Sequence, residues 1–166
     1  MTIRRASLAA LLLAVSAGQP LIASTATGTV GVTITISAKA KLQLTTSTIT
    51  FPNADPDTTP AIAASGGAIG ITVKAKTATG ASVTLTVLTA NDLVSGTDRI
   101  AIANVTWTAS GTGFSSGSLN KTTAQAVGTW SGSGVRTGTQ SYTLANSWSY
   151  ATGLYSTTAT YTLTAP

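Results

Sequence analysis

The segment "GLYSTTATYTLTAP", residues 153–166, alternates without a slip. From residue 155 the odd positions are Tyr155, Thr157, Ala159, Tyr161, Leu163 and Ala165, and the even ones are Ser156, Thr158, Thr160, Thr162 and Thr164. A repeat of two places these sets on opposite faces of an extended chain, so the spacing predicts a strand with one apolar and one hydroxylated face. "TVGVTITIS" repeats the pattern towards the other end, with Val30, Val32, Ile34 and Ile36 set against Gly31, Thr33 and Thr35. Between the two lie "KLQLT", "STITF", "AIGITVKAK", "ASVTLTVLT", "IANVTWTAS", "AVGTWSGS" and "TQSYTLA", separated by the turn-rich runs "PNADPDTTP", "TATG", "VSGTD", "SGTGFSSGS" and "SGSGVRTG". No stretch after Ala26 carries a helical repeat. Eight or nine short strands joined in this way predict an all-β antiparallel sandwich or barrel.

Composition agrees with sheet and argues against catalysis. Thr supplies 34 of the 166 residues, a β-branched bias. The length suits one domain plus a targeting segment. Only 8% of residues are charged, and the chain has no Cys, His or Glu, which removes the side chains that most acid-base chemistry, thiol catalysis and zinc binding depend on. The expectation is a protein that is not an enzyme and uses no cofactor or metal. Without Cys, stability must come from the core and the sheet ladder.

The first 26 residues read as a secretory signal peptide. Arg4 and Arg5 precede an apolar stretch over 8–17, followed by small residues, and cleavage after Ala26 puts Ser24 at the minus-three position, with cleavage after Ala23 as the competitor. The apolar stretch is too short to span a membrane. The expected product is therefore a secreted domain over 27–166, extracellular or at the cell surface, reached through the periplasm in a Gram-negative cell and not inserted in the membrane.

Loss of the leader lowers the formal charge from +5 to +3, since two of the nine basic residues go with it. The remaining basic residues are scattered and few aromatics interleave with them, so no nucleic-acid partner is expected. Lys39 with Lys41, and Lys74 with Lys76, each fall on one face of a strand; a solvated face that discourages edge aggregation accounts for them. Asp55 and Asp57 in "NADPD" have a calcium-loop spacing but lack its Gly and distal Glu, and an Asp-Pro turn explains them better. Trp107, Trp130 and Trp148 sit in similar settings. They serve either as core aromatics or as a platform for a surface glycan, with Trp107, Trp148 and Tyr150 as possible ligand aromatics.

The run 32–87, "VTITISAKAKLQLTTSTITFPNADPDTTPAIAASGGAIGITVKAKTATGASVTLTV", resembles the amino-terminal half of the spore coat protein U family, which includes archaic chaperone-usher pilin subunits. The similarity lies in an alternating first strand at 34–36, a short strand ending in Phe51, a turn at 54–56, a strand over 69–76 and a Gly80 hairpin. Gly153, fourteenth from the end, precedes an aromatic and an alternating run as in the family's last strand. Ala40 and Ala75 stand near positions where members often carry Cys. A weaker similarity links the tail to WxL cell-surface domains, with Tyr161-Thr162-Leu163 in place of Trp-x-Leu and Ala109 in place of a motif Leu.

The first resemblance implies an immunoglobulin-like antiparallel β-sandwich, incomplete and completed by a donor strand from another subunit. It implies other copies or related pilin subunits as partners, with a periplasmic chaperone and usher, and a fibre that serves adhesion or biofilm. Val30, Val32, Ile34 and Ile36 are the implied donor residues. Gly153, Tyr155, Ala159, Tyr161 and Leu163 are the implied wall of the acceptor groove. The alternative for the first strand is pairing within its own sandwich. The alternative for the whole chain is a cell-wall or carbohydrate-binding surface module of WxL-like type.

Overall fold

The structure, a computed structural model, describes residues 25–166. The signal-peptide reading falls almost wholly outside them. The chain divides into a short amino-terminal unit, Met1–Ile34, and a body, Thr35–Pro166. In the amino-terminal unit residues 25–34 form no strand and are exposed.

The body is all-β among the described residues apart from one short 3-10 turn, Ile102–Asn104. Its strands are β1 (Lys39–Leu44), β2 (Ala61–Ala63), β3 (Ile69–Lys76), β4 (Ser82–Thr89), β5 (Leu93–Ser95), β6 (Asp98–Ile100), β7 (Val105–Ser110), β8 (Gly117–Ser118), β9 (Gln125–Ser131), β10 (Gly134–Ala145) and β11 (Ala159–Thr164). One sheet runs β1-β3-β10-β7-β8, with β2 beside the far end of β10; a second runs β11-β4-β9; β5 and β6 make a separate hairpin. Every pairing is antiparallel.

The two larger sheets pack face to face as a β-sandwich. Alternation decides which side chains meet: Ile69, Ile71, Val73 and Ala75 of β3 face inward, as do Val83, Leu85 and Val87 of β4, and all are buried. Trp107 and Tyr142 from the first sheet and Val127 and Trp130 from the second complete the same core. Burial of this kind is worth about 1.5 to 3 kcal/mol for each large apolar side chain. No helix among the described residues is long and apolar enough to cross a membrane.

Sequence spacing located β1, β3, β4, β7, β9 and the carboxyl half of β10. The predicted last strand, 155–163, forms as β11 only from Ala159, and three further readings are corrected. "STITF" forms no strand; Ile49 and Phe51 instead lie half-buried on the core from a loop. "GVRTG", read as part of a turn, opens β10, because residues 134–140 pair with β3 along their length. Residues 28–36 alternate like a strand but have no ladder partner, since alternation sets a face and not a pairing.

Candidate functional site

The two sheets meet along two seams, and these differ. At one, β9 is stitched to the first sheet by the 111–116 loop: Phe114 bridges Gly128, Ser115 N–H donates to Val127 O at 2.8 Å, and Thr129 N–H donates to Gly113 O at 2.9 Å. Trp130 Nε1 and Trp107 Nε1 donate to Thr112 O and Ser115 O from within the core, each at 2.8 Å. Val127 and Trp130 are accordingly buried although β9 is an edge strand.

At the other seam β1 and β11 approach each other as the free edges of their sheets. Among the described residues no backbone hydrogen bond joins them. Register makes the loss of cover plain. Leu42 and Leu44 of β1 lie opposite Val73 and Ile71, which are each 1% exposed, yet the two leucines are only half-buried. On β11, Tyr161 and Leu163 lie opposite Val87 and Leu85, both fully buried, and are again only half-buried. One strand step outward from the core, on both sheets, the inward face is partly open. Such an edge has unpaired backbone groups beside an apolar face, which is what an added strand requires.

The end of β11 is held by Thr77 Oγ1, which donates to Pro166 O. Inside the seam, Tyr161 reaches from β11 to β10, where its hydroxyl donates to Gln140 Oε1 at 2.5 Å and contacts the Tyr142 hydroxyl. Burial, followed by the neighbouring Tyr161, pushes the Tyr142 hydroxyl far above its usual range; burial also raises Tyr161. A cavity of about 210 Å3 reaches Tyr142 between Thr45, Ile49, Ala64 and Ile69.

The expected site residues fare unequally. Ala159, Tyr161 and Leu163 line the open seam on β11. Gly153 and Tyr155 do not: β11 starts at Ala159, and Gly153 lies against the β5–β6 hairpin, where a Cβ would meet Ser95 Oγ at 2.3 Å. Sequence reasoning missed the opposite wall, Leu42 and Leu44, which only the β1–β3 register identifies. Val30, Val32, Ile34 and Ile36 are 67 to 89% exposed, four alternating apolar side chains left in solvent.

Trp107 is corrected as a ligand aromatic. It is 2% exposed, with its ring tilted against Tyr142. Tyr150 is half-buried on the core, accepting from Asn104 Nδ2 and donating to Ala145 O. Trp148 is 69% exposed, and its indole Nε1 donates to Asp57 Oδ1 at 3.0 Å. The Asp55 carboxylate caps its own turn, accepting from Asp57 N–H at 2.9 Å. No group of three or more possible metal ligands occurs among the described residues.

No family model, curated protein or solved structure matches the chain.

Proposed function

We propose that the chain is a structural subunit of an extracellular pilus, fibre or surface coat, and that subunits join by strand addition. One combination carries this reading: an exposed apolar ladder, Val30, Val32, Ile34 and Ile36, in a chain whose body has one seam with half-covered apolar walls. The ladder of one subunit would add along this seam of the next, β1 and β11 parting to about 10 Å, twice the strand spacing, to admit it, and its four side chains would cover Leu42, Leu44, Tyr161 and Leu163. The sandwich is then an immunoglobulin-like fold short of one strand, as the resemblance to archaic pilin subunits implies. Burial of four Val or Ile side chains would be worth ~6 to 12 kcal/mol before ordering costs. A periplasmic chaperone would hold the seam until an usher delivers the next subunit, and the fibre would serve adhesion or biofilm.

Removal of residues 27–36 tests it. The full secreted chain is expected to give a ladder on an unheated denaturing gel that collapses on boiling, with thin fibres by negative stain. The shortened chain is expected to fold and to give one band. Fibres from the shortened chain would refute the proposal.

A second reading, a carbohydrate-binding surface module, draws support from Trp148. Its exposed indole is held by Asp57, and a fixed ring face suits stacking on a sugar. A single band from the full chain would favour this reading.

A further inference from the structure

Lys39, Lys41, Lys74 and Lys76 form two short stripes in the sequence, and the register joins them. Lys39 lies opposite Lys76 and Lys41 opposite Lys74 across the β1–β3 ladder. The alternate residues Val73 and Ala75 are buried in the core, so all four lysines project outward, and all are exposed. Opposite residues stand about 5 Å apart and alternate ones about 7 Å apart along a strand, which makes a compact square of four positive charges. The salt bridge found among the described residues joins Lys121 to Asp92, away from this square.

Like charges directly opposite each other cost stability. Position on an edge strand, where outward lysines are common, accounts for Lys39 and Lys41. It does not account for Lys74 and Lys76, because β3 lies between β1 and β10. Four of the seven basic residues after Ala26 thus converge where they repel one another. An anionic partner relieves that repulsion.

The surrounding face narrows the partner. Continuing outward-facing positions are Gln43 and Thr72, which lie opposite each other, Thr137, which pairs with Thr72, and the exposed Val135, which pairs with Lys74. Amide and hydroxyl groups of this kind suit sugar hydroxyls. The outward positions of β1, β3 and β10 carry no aromatic for base stacking and no arginine for bidentate phosphate contact. We propose that this face binds a linear anionic polysaccharide through Lys39, Lys41, Lys74 and Lys76. The surface is separate from Trp148, which follows the opposite end of β10, and it does not depend on polymerisation.

Binding of the mature chain to immobilised dextran sulfate and alginate, across a salt series, tests the proposal. The expected result is salt-sensitive binding to at least one of these probes. The double variant Lys74→Gln/Lys76→Gln should weaken it about tenfold or more and flatten the log affinity against log salt slope by roughly 1 to 2. The double variant Arg99→Gln/Arg136→Gln, with the same loss of charge, should stay within about twofold if the square and not net charge is the site. The lysine variant should melt no lower than the parent, which separates lost binding from lost fold. Failure to bind either probe, equal losses in the two variants, or tighter binding of duplex DNA at matched charge would overturn the inference.

Discussion

Gln140 lies fully buried in the core, its Oε1 accepting from Tyr161 and, at 3.2 Å, from Tyr142. Its Nε2 has no partner among the described residues, an arrangement that costs stability unless offset by the two hydroxyls. Because burial raises Tyr142 and Tyr161, the folded chain holds phenolic protons that the unfolded chain surrenders near pH 10. The unfolded state then binds fewer protons, so stability falls as pH rises. The unfolding free energy from urea titrations should be insensitive to these tyrosines below about pH 9 and should fall above about pH 10, by up to about 1.4 kcal/mol per pH unit for Tyr142, with Tyr161 adding to the fall. Tyr142→Phe should flatten that fall. A parent midpoint unchanged to about pH 12 would contradict the buried cluster.

At the scale of elements, β9 is the strand whose alternation breaks. A register shift against β4 at Leu85/Thr86 leaves Val127 and Gly128 both buried in succession. Trp130 lies over Gly128, where a Cβ would come within 2.4 Å of the indole ring. Gly128→Ala should therefore lower stability by about 1 to 3 kcal/mol, read from denaturant midpoints; an unchanged midpoint would show that the ring yields freely. The strands with full alternation, β3 and β4, were legible because each residue declares its face. β2 and β8, of three and two residues, were not, since their existence depends on neighbours distant in sequence. The same limit hid the lysine square: each stripe is visible in the sequence, but the pairing Lys39 to Lys76 is a property of register. It also hid which tryptophan is exposed. "VTWTAS" and "NSWSYA" look alike, yet Trp107 is on β7 beside β10 and Trp148 follows the last residue of β10.

At the scale of the molecule, the contrast between the two seams of the body carries the functional account. One is closed by a loop pinned through two indoles; the other leaves Leu42, Leu44, Tyr161 and Leu163 half-covered. A sandwich that closes one seam and leaves the other half-covered has apolar surface there, which the exposed alternation of 30–36 would cover in the proposed assembly. Polymerisation would bury both and repeat the lysine face along a fibre, raising avidity for a long anionic chain without any new contact.

The most direct measurement is amide hydrogen exchange on the fibre fraction of the full chain beside the chain lacking residues 27–36. Strand addition calls for slow exchange in the fibre over 28–36, and over β1 and β11, with β1 and β11 exchanging faster in the shortened chain. Equal exchange of β1 and β11 in the two samples, with 28–36 unprotected in the fibre, would contradict it.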